Sequence, residues 1–414
     1  MTHTIWALVI VAAGLTSWTA AVFAGGLAWR LRASLRVHFA RQARWPLRLR
    51  VVEREDFGPD LFRLVLARDG WWRRLPAFAA GQYLTVMLPD GAARRCYSLA
   101  SWQRRPRRYE LAIRREAGGL VSQWLYANAQ PGCRIAVEPP RGTFVLKPED
   151  VRDREVSLIA GGIGITPLRA MVHRLVTVRR MDQRQRLTLF YCVRHEQELM
   201  YRAEFEQLAG QVPWFRFVPL ISRPATDWLG RRGRIDASVI SAGIPRPEAA
   251  AFFLCASNKM LEHAISVLRG LGAPDSHIHH ERFSADTENT DTRSYQIVIN
   301  GTAAPAFQAQ SSLLCFFEQH KLPIAADCRA GACGLCRLRL VEGEVAWTIP
   351  PETDPGPGQI LACCTVPRGD LRLQLGGATG VPETRARTTG DANGRVAPVQ
   401  DVQWHHTENR SDKS

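Results

Sequence analysis

Charged side chains are missing from one long stretch near the start of the sequence, residues 5–29. These 25 mostly apolar positions are enough to cross a bilayer core of about 30 Å with some tilt. Seven arginines follow between Arg30 and Arg50, and no acid occurs before Glu53. Because basic flanks stay in the cytoplasm, we expect a single transmembrane helix at 5–29 in the cell inner membrane, with the later domains on the cytoplasmic side. The basic flank is also expected to lie against anionic headgroups.

Lysine and arginine are also absent from the residues before this apolar stretch. A cleaved secretory signal is the alternative interpretation, since Val22-Phe-Ala24 resembles a cleavage site. Signal peptides carry their positive charge ahead of the apolar run, whereas this chain carries it behind. The sequence therefore favours a retained anchor.

A disulfide framework is absent as well. Ten cysteines occur in 414 residues, but four share one motif and the others are scattered singly, which indicates a reducing compartment. The net charge is +15, and 25 Lys or Arg against 12 Asp or Glu lie between Arg30 and Arg154. Since this excess begins directly behind the apolar stretch, we interpret it as facing a membrane surface and expect no nucleic-acid partner. The length allows two to four domains.

An iron–sulfur motif lies in the last quarter of the chain. Three thiols have the C-x4-C-x2-C spacing, at Cys328, Cys333 and Cys336. This spacing ligates a plant-type [2Fe–2S] cluster when a distant fourth cysteine joins, and Cys363 and Cys364 are the candidates. Two glycines inside the loop allow it to wrap tightly around a cluster. A structural zinc site is the alternative, although zinc sites usually pair short C-x2-C units.

Residues 46–146 consist of short alternating runs broken by Gly and Pro, which favours a small antiparallel barrel. Arg95-Cys-Tyr97-Ser98 falls on one of these strands. An arginine can pair with a phosphate, a tyrosine on the same face can stack on a flat ring, and the serine can hydrogen-bond a ring nitrogen. An ordinary strand with a satisfied arginine and a half-buried tyrosine is the alternative.

A second candidate site in the barrel region is the glycine pair at 118 and 119. It is predicted to open a helix that contains Val121 and Ser122, whose first N–H groups would face an anion. An ordinary capped helix explains the same pattern.

Residues 151–283 alternate strands with helices, which predicts a parallel sheet covered on both faces. The first strand runs into Gly161-Gly-Ile-Gly-Ile-Thr166-Pro167. Strand, glycine turn and helix in this order are typical of a nucleotide-binding unit. Thr166 is predicted to be the N-cap, with Pro167 in the first helical turn.

The remaining chain divides into three segments. Residues 284–294 are polar without an apolar period, which predicts a flexible linker. Residues 295–375 contain strands, one helix and the cysteine loop. Residues 376–414 are polar and predicted to be disordered.

The motifs together resemble the ferredoxin–NADP reductase family, in the form with a C-terminal plant-type ferredoxin domain that serves oxygenase and hydroxylase systems. The resemblance implies a β-grasp fold for 295–375 and FAD rather than FMN in the barrel. It implies that Arg95 meets the flavin phosphates, that Tyr97 stacks on the isoalloxazine and that Ser98 lies near its reactive nitrogen. It places the pyrophosphate at Gly119, Val121 and Ser122.

The same resemblance assigns the nucleotide and cluster residues. Gly162, Gly164 and Thr166 would border the nicotinamide, and Cys255 would lie near its hydride-bearing carbon. The closing strand would bring Glu281 and Phe283 beside the flavin. Matching the family's Ile-Leu-x-Cys phrase to 360–363 makes Cys363 the fourth ligand and Cys364 a bystander, since neighbours on an extended strand face opposite ways. The family has Cys-Gly-Pro where this chain has Cys255-Ala256-Ser257, so a structural role for Cys255 stays open.

These parts predict an electron relay. A pyridine nucleotide gives two electrons as hydride, a [2Fe–2S] cluster accepts one at a time, and a flavin handles both modes. We therefore expect a membrane-anchored NAD(P)H oxidoreductase that passes electrons to a partner protein such as an oxygenase, hydroxylase or desaturase. Two alternatives are a reductase of a small acceptor (a quinone or ferric chelate) and a non-catalytic electron-carrying or redox-sensing membrane module.

Overall fold

A computed structural model describes residues 46–70, 74–89, 93–117, 119–178, 186–283, 293–308, 310 and 312–375 of the chain. The predicted membrane span at 5–29, the predicted tail at 376–414 and residues 284–292 of the predicted linker lie outside these ranges. Within them, no helix combines the length and the apolar character that a membrane crossing requires.

The first domain is an antiparallel barrel, as its alternating sequence predicts. Its strands are β1 (Leu47–Asp56), β2 (Leu61–Ala67), β3 (Tyr83–Met87), β4 (Arg94–Ser98), β5 (Arg108–Arg114) and β6 (Arg134–Val137). They are ordered β4-β3-β6-β1-β2-β5, and a bridge between Leu99 and Leu111 brings the two edges together. Helix α1 (Leu120–Asn128) packs Val121 and Leu125 onto the barrel core.

The second domain is a six-stranded parallel sheet with helices on both faces, as predicted. Its strands are β7 (Val156–Gly161), β8 (Leu187–Val193), β9 (Phe215–Ile221), β10 (Arg231–Arg232), β11 (Ala251–Ala256) and β12 (Ile278–Arg282). Its helices are α2 (Pro148–Val151), α3 (Ile165–Val178), α4 (Arg202–Gln211), α5 (Ala237–Gly243) and α6 (Asn258–Gly270). The order β10-β9-β8-β7-β11-β12 runs outward in both directions from β7, so a ligand crevice opens where β7 and β11 end.

The predicted N-cap at Thr166 is wrong. A short 3-10 turn at Gly162–Gly164 leads directly into α3, which begins at Ile165. The Thr166 hydroxyl donates a hydrogen bond back to the carbonyl of Ile163 at 3.1 Å, instead of accepting one from the helix. Pro167 lies in the first helical turn, where its missing N–H costs nothing.

The third domain is a small β-grasp domain. Its strands are β13 (Ser294–Tyr295), β14 (Ile297–Ile299), β15 (Thr302–Ala303), β16 (Phe307–Gln308), β17 (Arg337–Glu342), β18 (Val345–Trp347), β19 (Gln359–Leu361), β20 (Thr365–Pro367) and β21 (Leu371–Leu375). The main sheet, ordered β15-β14-β21-β17-β19, pairs β14 with β21 in parallel and its other neighbours antiparallel. Helix α7 (Leu313–Gln319) buries Phe316 and Phe317 in this domain's own core. Ser294 belongs to β13, so the predicted linker ends before it.

Candidate active site

Strand β4 carries the first predicted site. Arg95 and Tyr97 lie two residues apart on one face of β4, and Ser98 ends the strand on the other face. The Tyr97 hydroxyl is buried and has no hydrogen-bond partner among the described residues. Burial raises the pKa of Tyr97 above its ordinary value, so the phenol is neutral. A buried phenol without a partner marks a place where an atom of a bound ligand fits.

Ser98 meets the α/β domain at the crevice. Its hydroxyl donates a hydrogen bond to Glu281 on β12. Glu281 lies opposite Cys255 in the register of β11 and β12. Three predicted residues from three distant parts of the sequence therefore come together where β11 ends.

The Oε2 atom of Glu281 is buried and has no hydrogen-bond partner in the described part of the chain. Burial raises the pKa of Glu281 to about 8, the carboxylate of Glu352 raises it further, and the hydrogen bond from Ser98 lowers it. Glu281 therefore holds its proton at neutral pH and is able to donate a hydrogen bond into the crevice. Burial, followed by the nearby Glu281, raises the pKa of the Cys255 thiol, so that thiol is neutral too.

The glycine turn at 162–164 lies at the same edge of the sheet. A methyl group on Gly164 would overlap the carbonyl oxygen of Cys255, so only glycine fits. Gly162 has φ +54, in the left-handed region. Ala256, which departs from the family's glycine, packs behind the sheet, and its methyl lies 2.6 Å from where a Cβ on Gly161 would be.

The predicted pyrophosphate site is the start of α1. Gly119 is the N-cap, and no side chain accepts a hydrogen bond from the first N–H groups of the helix. These backbone N–H groups are therefore available to a ligand. The Ser122 hydroxyl is already used, because it accepts from the N–H of Glu116 at 3.1 Å and donates to the carbonyl of Gly119 at 3.0 Å. Val121 is buried in the barrel core. An anion here would be held by backbone N–H groups, with Ser122 shaping the turn.

The four predicted cluster ligands form two pairs. Cys328 lies beside Cys333, and Cys336 lies beside Cys363, each pair within hydrogen-bonding reach. The hydrogen bond from the Cys328 thiol lowers the pKa of Cys333. Within the described residues, no three His, Cys, Asp or Glu side chains converge as ligands for one metal ion. Two thiol pairs suit a two-iron cluster with four cysteine ligands, in which each iron takes two.

The reasoning that set Cys364 aside is wrong. Ala362–Cys364 is a short 3-10 turn, so Cys363 and Cys364 do not alternate as on an extended strand. Their sulfurs lie 3.5 Å apart, and both are buried. The Cys364 sulfur also faces the cysteine loop, where it lies 2.7 Å from where a Cβ on Gly331 would be. Cys364 therefore packs directly against the loop.

A cavity of about 500 Å³ lies where all three domains meet. Its walls include Tyr83 from the barrel, Glu281 from the α/β domain, and Cys328, Cys333 and Glu352 from the β-grasp domain. This volume falls in the range of small-molecule sites. The cavity and the unpartnered Glu281 oxygen in its wall fit a flavin ring between the crevice and the cysteine loop.

Sequence reasoning missed four charged residues beside this cavity: Arg94, Glu138, Arg141 and Asp327. Arg94 directly precedes Arg95, and Asp327 directly precedes the first cysteine of the loop. The position of Asp327 next to the cysteine loop could have indicated a role for it, but its partners Arg94 and Arg141 lie far away along the chain.

Comparisons with known proteins match each domain separately. Residues 48–146 match an oxidoreductase FAD-binding domain, residues 158–265 an oxidoreductase NAD-binding domain, and residues 297–368 a 2Fe-2S iron–sulfur cluster binding domain. A ferredoxin–NADP reductase B from Sorangium cellulosum is 31% identical over 247 residues, which are 58% of this chain and 98% of the relative.

Two relatives extend the match along the chain. The ferredoxin reductase component of a 3-ketosteroid-9-alpha-monooxygenase from Mycolicibacterium smegmatis is 29% identical over 71% of this chain and 85% of the relative. A solved phthalate dioxygenase reductase, described as a modular structure for electron transfer from pyridine nucleotides to [2Fe-2S], aligns with a TM-score of 0.58 at 25% identity. It covers 80% of this chain and 98% of its own.

Proposed function

The chain belongs to the ferredoxin–NADP reductase family, and on that premise we propose that it is the membrane-anchored reductase component of an oxygenase, hydroxylase or desaturase system. It is an NAD(P)H-dependent flavin and iron–sulfur oxidoreductase with FAD and a [2Fe–2S] cluster as its cofactors. The proposal adds the order of the electron path, the partner and the anchor.

One observation supports the path above all others. Glu281 of the crevice, which the Ser98 hydroxyl meets, and the loop cysteines Cys328 and Cys333 line a single cavity. A donor in the crevice and an acceptor at the loop are thus separated by one flavin-sized space. Bound FAD supplies the chemistry that accepts hydride and releases single electrons, and the cluster carries those electrons onward.

The chain's own residues would bind the cofactors and orient them. Arg95 supplies positive charge for phosphate, and the first N–H groups of α1 supply further donors. Tyr97 offers a neutral aromatic face. The Ser98 hydroxyl donates to Glu281, and the protonated Glu281 places a donor in the crevice. The glycine turn at 162–164 permits close approach of a nicotinamide to Cys255.

The oxygenase-type partner is proposed from relatives named as reductase components of a monooxygenase and a dioxygenase. The anchor is proposed from the uncharged residues 5–29 and the seven arginines behind them. With basic flanks inside, the protein would span the inner membrane once and keep its redox domains on the cytoplasmic side. A membrane-bound partner, acting on an apolar substrate, follows from that location.

Anaerobic titration of the purified protein with NADH and with NADPH tests the electron path. We expect the flavin absorption to bleach and the cluster's EPR signal to appear with one of the two nucleotides. If neither nucleotide bleaches the flavin, the protein is an electron carrier without nucleotide chemistry. Rapid turnover with a soluble quinone, without a stable partner complex, would instead support a reductase of small acceptors.

Fractionation tests the anchor. The full chain should sediment with the inner membrane, and a variant that starts at Pro46 should remain in the soluble fraction with its flavin bound. Recovery of the full chain in the soluble fraction would contradict the proposal.

A further inference from the structure

A fully buried carboxylate stands directly in front of the cysteine loop. Asp327 precedes Cys328, and its side chain is 0% exposed. Arg94 brings its Nε to 2.6 Å from one oxygen of this carboxylate, and Arg141 brings an Nη to 2.9 Å from the other. Both arginines belong to the barrel domain, so these contacts join the loop to the barrel.

Glu138 completes the arrangement from the barrel side. It pairs with Arg94 at 2.7 Å and also with Arg141. Arg141 additionally donates to the hydroxyl of the buried Thr85 at 3.2 Å. The four charged groups, which we call the Asp327 network (Arg94, Glu138, Arg141 and Asp327), sum to zero. Only Asp327 comes from the β-grasp domain, so undocking that domain leaves two arginines with one acid.

The register of β4 ties this network to the flavin site. Arg95 and Tyr97 point to one face of the strand, and Arg94 and Cys96 to the other, since successive side chains alternate. Cys96 contacts Thr85 at 3.6 Å, on the same side as the network. One strand therefore carries Arg95 and Tyr97 for the flavin on its first face, and on its second the arginine that meets the cysteine loop. If the cysteine loop is held in one position on β4, the distance between the flavin and the cluster is held constant too.

Other polar contacts of the loop lie inside the β-grasp domain, where the Thr353 hydroxyl donates to the carbonyl of Ala332 and Arg329 pairs with Glu318. The apolar core of the β-grasp domain consists of that domain's own residues. The ion pair of Glu352 with Arg282 joins the β-grasp domain to the α/β domain instead, and it is longer at 3.9 Å. The Asp327 contacts are charge pairs without aligned hydrogen bonds, since both carboxylate oxygens lack a hydrogen-bond partner among the described residues. Charge pairing is thus the main attraction at this contact.

We propose that Asp327 is a positioning residue for the second half of the electron path: paired with Arg94 and Arg141, it docks the cysteine loop on the barrel and sets the flavin-to-cluster distance. The inference rests on the proposed electron path, in which both redox groups are bound. Removing Asp327 leaves the two arginines with one acid between them, and removing Arg141 leaves the buried Asp327 carboxylate with one cation instead of two, so either change weakens the docked arrangement.

Rapid kinetics on the full-length, cofactor-loaded protein separates the two steps. In Asp327→Asn and in Arg141→Gln, flavin bleaching by NAD(P)H should keep its wild-type rate. Cluster reduction that follows should slow by about tenfold or more, the lower range for close interfacial charge pairs. If bleaching fails already in the wild type, the proposed function fails; if bleaching proceeds and cluster reduction keeps its rate in both variants, only the docking role fails.

Glu342→Gln is the matched control. It removes one acid from the same domain, but its ion pair with Arg372 is exposed, at 70% and 65% of the two side chains. Both steps should keep their wild-type rates. Equal slowing in this control would overturn the proposal, because the effect would then come from the charge of the domain as a whole.

Two further measurements distinguish docking from general damage. Small-angle scattering should show a larger radius of gyration in both variants, while the cluster's EPR spectrum stays unchanged. The double variant should be no slower than the worse single one, since either change breaks the same pairing. If Asp327→Asn does not retain its cluster, Arg141→Gln decides alone, because it lies in the barrel. A compact Arg141→Gln protein with normal rates would overturn the proposal.

Discussion

The barrel meets its two neighbours in physically different ways. Its contact with the α/β domain is a continuous apolar core, in which Leu61, Phe144 and Leu146 pack with residues of β7, α3 and β11. The rings of Phe144 and Phe253 lie 6.1 Å apart across this boundary. Its contact with the β-grasp domain carries charges, and the apolar core there stops at the domain edge. Hydride transfer needs a fixed geometry, whereas an electron carrier that must also serve a partner benefits from a separable contact.

A buried cation reinforces the first contact. Arg169 on α3 donates to the carbonyl of Ala100 at 2.9 Å and to Glu110 at 2.8 Å, both in the barrel region. It also pairs with Glu204 at 2.6 Å and stacks over the Tyr201 ring at 3.9 Å. Unlike Asp327, Arg169 has aligned hydrogen bonds and apolar packing around it. The comparison predicts that breaking each contact has a different consequence.

The largest effect is expected from Arg169→Met, which breaks the first contact. It removes the nearest cation from Glu110 and Glu204, which keep Arg63 at 3.7 Å and His173 at 2.7 Å respectively. The expected cost is about 3 kcal/mol, the lower end for a buried pair because Glu204 is partly solvated. Thermal unfolding followed by FAD release should shift to lower temperature. Arg269→Ala, which breaks an exposed pair with Asp275, should not shift it. An unchanged midpoint in Arg169→Met would show that the apolar core alone holds the contact.

The next effect is expected from Gly164→Ala, which disturbs the crevice beside the same contact. The added methyl would overlap the Cys255 carbonyl, and displacement of the crevice by about 1 Å costs on the order of a hundredfold in rate. Stopped-flow bleaching of the flavin should slow by that factor, with cluster content unchanged. Gly210→Ala on α4, where nothing lies within 4 Å, is the control and should keep the wild-type rate.

At the second contact, Gly331→Ala tests whether the β-grasp domain can lose its cluster while the other two domains stay functional. Gly331 has φ +76, and its new methyl would meet the Cys364 sulfur. Gly356 has φ +85 with open space around it, so Gly356→Ala carries the same backbone cost of about 1–2 kcal/mol without a clash. Iron content should fall in Gly331→Ala and be largely kept in Gly356→Ala. Flavin bleaching by NAD(P)H should persist in both, since the first contact is intact.

Local patterns predicted most of the fold. Strand β8 and helix α3 follow from apolar periodicity, and the glycine turn at 162–164 follows from the need for close approach. Thr166 was misread because a hydroxyl in the first turn serves equally as a cap or as a donor to the preceding turn. The extended backbone expected at Cys363 and Cys364 is a 3-10 turn instead, so the two-residue alternation does not apply there.

The charged contacts were beyond sequence reasoning. Asp327 and Arg94 are separated by more than half of the described chain, and no local period relates them. Arg169 and its partner Glu110 lie 59 positions apart, and no local period relates them either. Whether such a charged side chain is exposed to solvent or buried against a partner depends on the tertiary structure. Both domain contacts contain side chains of the buried kind.

Measured over a single pH unit, the smallest expected effect concerns Glu281, which lies between the two contacts. Burial raises the pKa of Glu281 from 4.5 to about 8, with Glu352 of the β-grasp domain adding to the rise. The folded protein therefore keeps a proton that the unfolded chain loses, so stability should fall as pH rises from about 4.5 to about 8, by at most about 1.4 kcal/mol per pH unit. Glu281→Gln should flatten that fall, measured as the midpoint of thermal unfolding at several pH values. Glu262→Gln, on the surface of α6, should retain the wild-type slope. An unchanged slope in Glu281→Gln would show that the Glu281 carboxylate is ionised in the folded protein. The crevice would then contain a buried charge, as the contact with the β-grasp domain does, although it lies beside the apolar contact.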